Sequence, residues 1–595
     1  MKTIYNIKFW CVIAVLSAVA TVNAQEDKSK DKSLNREMTL EREYTPTVQD
    51  ANKVNTLPVV KEPEAKKVPI SYSNFAVAAN PAKEFSLLPS GNIMTDMTYN
   101  KRRGYLNFGM GNYMNINGDF GYHVLSTDKD IMNLWFSHRS TNGNVKYIDV
   151  TDSENKVKAK LNDNIGGLDF KHAFDKLWLN MGIKYNYSAF NYYGYYPLVY
   201  DKDFNTDLST PNISDKTTNQ VSQAFKAHIG VASKEEKLPV NYMLDFGFTN
   251  MGYKYALKKA IDGPTERTFT AKFDFNSPFN GGQFIGVKGN IDYFNYNLPQ
   301  KKDSMKAVYN NHIEAFLTPY YKVEGDNWHL QLGANVMIIT GDNDKITASP
   351  NVSFDANVSD KTVLYGIATG HLYSNSLYET SLVNRYIDLG GGMLPSRNWL
   401  DAKVGVKSTV APGFWFDLFG GLKKTSDDIF YVPQYYYNYN FVSVSKPFQA
   451  KSTQAYGGVN FKYSYQNFID LNIKGVYNYW KVTDPNDATY STTEYKAYGK
   501  PEMELTFGAT VHPISQITAS AEYYLATGRY SITPYASKNI KMKNINELDL
   551  TGTYTLNDTF GLFLKMNNVL CQKYELYYGY PLQSFNAMVG FNINF

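Results

Sequence analysis

From about Gly104 onward, apolar and polar residues alternate with a period of two. Trp328, Leu330, Leu332, Ala334, Val336 and Ile338 share one face, and His329, Gln331, Gly333, Asn335 and Met337 share the other. Ile469, Leu471, Ile473, Gly475, Tyr477 and Tyr479 alternate in the same way with Asp470, Asn472, Lys474, Val476 and Asn478. Leu548 to Leu556 and Ile285 to Tyr293 repeat the pattern. Side chains alternate across a strand, so each segment predicts a strand with one apolar and one polar face. Scanning to the C-terminus gives about 22 such strands.

A soluble sandwich also alternates, but the links here are sorted. Those after even-numbered strands are tight: Phe174-Asp175, Gly325, Ala411-Pro412, Gln466 and Pro513-Ile514. Several of those after odd-numbered strands are long: 141–155, 194–215, 374–397, 426–451, 482–500 and 528–543. Short turns at one end and long loops at the other are the mark of an outer-membrane barrel. The prediction is an all-β chain: a transmembrane antiparallel up-and-down β-barrel of about 22 strands over 104–595. Phe595, Phe591 and Ile593 lie on the apolar face of the last strand, as an aromatic-ended signal for barrel-assembly machinery would.

Before the barrel the pattern changes. Lys2 and Lys8 precede the apolar run Phe9 to Ala20, and Val22-Asn23-Ala24 offers a cleavage site, so 1–24 reads as a signal peptide. The apolar run is too short for a spanning helix, and none follows. Residues 25–70, charged and then rich in Pro and Lys, read as a flexible periplasmic segment. Within it the β-prone stretch Thr39 to Val48 is suited to pairing with a partner's sheet edge or to serving as a linker. Residues 71–103 carry Phe75, Val77, Phe85, Leu87 and Leu88, enough apolar surface for a small lumen-occluding segment.

Composition agrees. The 595 residues include 49 Tyr and 35 Phe, and charged residues are 19%. Mean hydropathy is −0.40, too polar for a bundle of membrane helices. The net charge of +4, with charges spread out, gives no reason to expect nucleic acid as a partner. Cys11 leaves with the signal peptide and Cys571 then stands alone, so no internal disulfide is expected.

Lys565-Met-Asn-Asn568 with Tyr574, Gly579-Tyr580-Pro581 and Phe585 to Phe595 resembles the last two strands of the TonB-dependent receptor family. Pro395-Ser-Arg-Asn-Trp399, followed by Asp401 to Ser408, resembles its mid-barrel segment, and Gly104-Tyr-Leu-Asn-Phe-Gly109 its first strand. The resemblance covers about 104–595 and implies 22 strands, nutrient uptake and TonB as a partner. A surface lipoprotein is a further partner to expect. The family also carries a plug domain before the barrel, and 25–103 is too short for it. That departure keeps a second class open: a non-transporting scaffold or accessory subunit of an envelope assembly. A wide barrel must still be closed, so occlusion by 71–103 and by inward-folded loops is expected.

No enzyme chemistry is expected. There is no His-Glu-x-x-His and no paired metal spacing. Gly420 to Ser426 lacks the spacing of a phosphate loop, and Ser137 and His138 point to opposite faces. No cofactor is expected. Lumen charges such as Lys288, Asp292, Asp470 and Lys474 are candidates for contact with cargo, or simply polar lining of a wet lumen. Tyr195 and Tyr196, after Tyr192 and Tyr193, and Tyr435, Tyr436 and Tyr437 are ligand-binding candidates, since aromatic faces stack on sugars and apolar ligands. The alternative for them is an interfacial girdle or loop packing.

Overall fold

The structure is a computed structural model that describes residues 102–148, 156–194, 218–234, 239–256, 262–279, 281–298, 310–341, 344–390, 392–436, 442–466, 468–483, 494–532 and 538–595. The expected signal peptide, the 25–70 segment and nearly all of 71–103 lie outside these residues.

The alternating segments form one antiparallel sheet of 22 strands. Each strand pairs with its neighbours in chain order, and the sheet closes on itself. The first strand, Gly104–Gly111, pairs with the last, Asn586–Asn594, in the register Tyr105↔Asn594 to Gly111↔Met588. The seam continues through Phe595, whose N–H donates to the Gly104 carbonyl at 2.9 Å, while the Gly104 N–H donates back at 2.7 Å. The Phe595 ring stacks on Tyr122 with 6.1 Å between centroids. The C-terminal residue is thus part of the closure.

The two faces meet different surroundings. Phe246, Phe269, Ile285, Leu332, Val404 and Val589 are exposed on the outside, as a lipid-facing surface requires. Inward-facing Asp292, Asn335, Asn478 and Asp549 are buried. Several inward tyrosines lie over a cross-strand glycine and reach an aspartate one strand further on. Tyr365 pairs with Gly405 and its hydroxyl donates to Asp417 at 2.8 Å; Tyr456 pairs with Gly421 and donates to Asp401 at 2.6 Å. The glycine makes room, since a Cβ at Gly421 would stand 2.4 Å from the Tyr456 ring.

The turns after even-numbered strands are tight and the links after odd-numbered strands include the long ones, as the sequence implied. Two expected loops prove to be partly sheet. The strand Asp130–Lys146 runs well into 141–155, and Phe414–Tyr436 with Val442–Tyr465 fill most of 426–451 as a hairpin extending past the barrel. The reason is burial: Phe430, Val444 and Ala450 are enclosed there, so the pairing continues where an apolar face is still covered.

Candidate functional site

The site lies at the long-loop end, where the link between strands Thr362–Tyr373 and Ser396–Ala411 turns into the lumen. This segment, 374–395, contains the helix Leu377–Val383. Ser376 is its N-cap and accepts from the Glu379 N–H at 3.2 Å. The wall completes the cap. Glu266, buried on the strand Thr265–Phe279, accepts from the Leu377 N–H at 2.5 Å and the Tyr378 N–H at 3.4 Å. A carboxylate suits this place, because the first N–H groups of a helix lack partners and carry partial positive charge.

Other walls hold the same segment. Arg385 grips Asp163 with both guanidinium nitrogens, at 3.1 and 3.0 Å. Such a fork is the stronger, directional kind of ion pair. Lys226 on the strand Thr218–Ser233 stands 3.7 Å over the Tyr378 ring. Ile387 forms a parallel bridge with Ser445: the Ser445 N–H donates to the Tyr386 carbonyl and the Asp388 N–H to the Ser445 carbonyl, both at 2.8 Å. The segment therefore touches walls contributed by distant parts of the chain.

Tyrosines join it to a second inward link. Tyr386 stacks on Tyr580 at 4.1 Å, and Tyr193 meets both rings edge-on at 5.5 and 5.1 Å. The hydroxyls of Tyr580, Tyr193 and Tyr577 donate to carbonyls. Tyr580 donates to Ser443 at 2.5 Å, Tyr193 to Pro581 at 3.1 Å and Tyr577 to Val383 at 2.6 Å. Burial pushes the Tyr580 phenol well above its ordinary pKa. Burial, with Glu379 and Glu266 nearby, pushes Tyr378 up to about 12. These rings stay neutral near pH 7 and so keep their donor hydrogens. Gly194 is needed beside them, since a Cβ there would stand 2.3 Å from the Tyr580 ring.

The segment is docked on apolar contacts as well as polar ones. Leu377 and Ile387 are fully buried and Leu389 nearly so. Each such side chain contributes about 1.5–3 kcal/mol on burial, and the conformational entropy of ordering the segment opposes that gain.

The candidates from the sequence fall elsewhere. Asp292 is buried and accepts from Thr270 and Asn290, both at 2.5 Å. On the same strand, Lys288 stands 5.9 Å over the Tyr320 ring. Asp470 lies 3.6 Å from His512, and Lys474, on that same strand, is exposed to the lumen. The two pairs sit on strands far apart in the sheet and form no common site. Tyr195, Tyr196 and Tyr437 lie outside the described residues, while Tyr435 and Tyr436 belong to a strand and not to an irregular loop. Tyr192 and Tyr193, just before them, are buried against the inward segment, which makes them packing residues. Ser137 donates to Asp119 and His138 meets Asn164 and Ser140, so the two form no catalytic pair. Among the described residues no group of three or more His, Cys, Asp or Glu could hold a metal ion. Glu266, Arg385, Tyr386 and Tyr580, which hold the inward segment, are the candidate residues that sequence reasoning missed.

No protein-family model matches the chain, and no curated protein matches its sequence. Solved structures do match. The FrpB iron transporter from Neisseria meningitidis superposes with a TM-score of 0.62 at 10% identity, over 84% of this chain and 82% of that one. The siderophore receptor PirA from Acinetobacter baumannii gives 0.60 at 12% identity, over 83% and 80%. The ferric-catecholate import receptor Fiu from E. coli K12 gives 0.57 at 9% identity, over 83% and 82%. The fold is that of a TonB-dependent receptor barrel. At such identities the likeness concerns the fold, and it agrees with the resemblance carried by the C-terminal motifs. The receptor-like barrel here has its own inward segment at the mouth, held by Glu266 and Asp163 of the wall.

Proposed function

We propose that the chain is an outer-membrane receptor for nutrient uptake. A ligand is met at the long-loop end, and passage requires segment 374–395 to leave the lumen. The observation that carries this reading is the inward segment itself. A scaffold barrel has no need of a separable insert, whereas a capped helix docked through one ion pair, backbone–carboxylate bonds and hydroxyl–carbonyl contacts can come away from the wall. The structural neighbours, an iron transporter, a siderophore receptor and an import receptor, support uptake as the task. The several ties between the segment and the wall support a need for work from outside, and TonB or another periplasmic protein acting on segment 25–70 is the natural source. A surface lipoprotein covering the mouth fits the same scheme.

The test is growth. A strain lacking the gene is compared with its parent on limiting iron, on single carbohydrates and on peptides. Uptake requires a defect confined to one nutrient class and restored by the intact chain. Normal growth on every class, together with depletion of other outer-membrane proteins, would establish the scaffold instead.

A further inference from the structure

Three adjacent strands, Phe414–Tyr436, Val442–Tyr465 and Ile469–Thr483, present an outward face that changes character abruptly. Along the first, Phe416, Leu418, Gly420 and Leu422 face lipid and are followed by Lys424. Along the second, Phe461, Val459, Gly457 and Ala455 are followed by Thr453 and Lys451. Along the third, Leu471, Ile473, Gly475, Tyr477 and Tyr479 are followed by Lys481. The register aligns these changes. Leu422 pairs with Ala455 and Ala455 with Tyr479; one step outward, Lys424 pairs with Thr453 and Thr453 with Lys481. Lys451 pairs with Thr483, which makes it a diagonal neighbour of Lys481.

All three lysines are exposed, and none has a carboxylate partner among the described residues. Lys424 and Lys481 are two strands apart, about 10 Å, and Lys451 lies about 7–8 Å from Lys481. Like charges this close repel weakly in water, and an anion held between them turns the repulsion into attraction. Their height along the barrel identifies the anion. Tyr477 and Tyr479 are 57% and 64% exposed, as girdle residues at the edge of the hydrocarbon are. Trp399 is also exposed on the neighbouring strand, and its indole donates to Ser426 at 2.8 Å. The lysines stand one residue pair beyond that edge, where lipid headgroups lie.

We propose that Lys424, Lys451 and Lys481 bind the phosphate of a phosphorylated lipid in the leaflet at the long-loop end, with its acyl chains along the apolar columns below. The assignment of that leaflet to the cell exterior rests on the outer-membrane reading above; the binding itself does not. Three ammonium groups around one phosphate form charge-assisted bonds that a low-dielectric boundary strengthens.

The experiment uses the purified full chain in mild detergent, with native mass spectrometry to count bound lipid A. The probe is phosphorylated lipid A, and its enzymatically dephosphorylated form is the comparison. The intact chain should retain phosphorylated lipid A at least tenfold better than the dephosphorylated form. The triple variant K424Q/K451Q/K481Q should lose that preference, and K424R/K451R/K481R should keep it. A matched variant, K146Q/K156Q/K158Q, removes an equally dense lysine cluster that stands four to five outward steps beyond Phe136, the last lipid-facing residue of its strand, away from headgroup height, and should bind as the intact chain does. Folding of each variant is read from the heat-dependent mobility shift of the barrel on gels. Equal retention of the two lipids, or a preference that survives in the folded Gln triple variant, overturns the proposal. Membrane fractionation of cells tests the outer-membrane reading separately, so the two can fail independently.

Discussion

Replacing residues 376–394 with a short Gly-Ser bridge should convert a closed barrel into an open channel in planar bilayers. The intact chain should show little current, and the deletion large, steady steps. Twenty-two strands enclose a lumen that needs a plug, and the helix Leu377–Val383 with its following strand bridge lies inside the mouth, docked on the wall. The deletion spares the barrel wall. Glu266 and Asp163 would then face water, which solvates carboxylates well, so the sheet should still close through the Gly104–Phe595 seam. Removing 71–90 in the same background isolates the expected second barrier. Large steps only in the double deletion would assign a share of the closure to 71–90. Large steps from the intact chain would refute a closed mouth.

A second large effect is expected on the wall. Ile473 faces lipid roughly midway between exposed Tyr465 and Phe468 at one edge and Tyr477 and Tyr479 at the other. Ile473→Arg should destabilise the barrel by about 2–4 kcal/mol, the cost of arginine near a bilayer midplane. Asn472→Arg, one residue away but facing the lumen and exposed to it, should cost well under half as much. Reversible unfolding in urea, followed by gel mobility in lipid vesicles, measures both. Equal losses would mean that the two faces are wrongly assigned.

The barrel was legible because two solvents press on every strand. Lipid outside and water inside force the alternation seen at Trp328 to Ile338, and the same pressure sorts loops to one end. Nothing comparable acts on the residues that close the mouth. Glu266 alternates like any lumen residue, and its partner at Leu377 is 111 positions away. Arg385 and Asp163 are separated by 222. Period-two reasoning carries no information about such pairs. One local sign was readable: Ser376-Leu-Tyr-Glu379 has the spacing of a capping box and marks a helix inside a supposed loop. The tyrosines were visible as a group, but their role was not. Tyr192 and Tyr193 read equally well as ligand faces or as packing, and only their burial against the inward segment separates the two.

Gated uptake requires segment 374–395 to move. Ile387 and Ser445 are bridged backbone to backbone, close enough for a disulfide between cysteines placed there. The decisive measurement is uptake-dependent growth of cells carrying I387C/S445C in a Cys571→Ser background, with and without reductant, on the nutrient that the deletion strain cannot use. Growth should fail while the disulfide holds the segment in the lumen and should return on reduction. Full growth with the disulfide formed would show that cargo passes without the segment moving, and would contradict the gate.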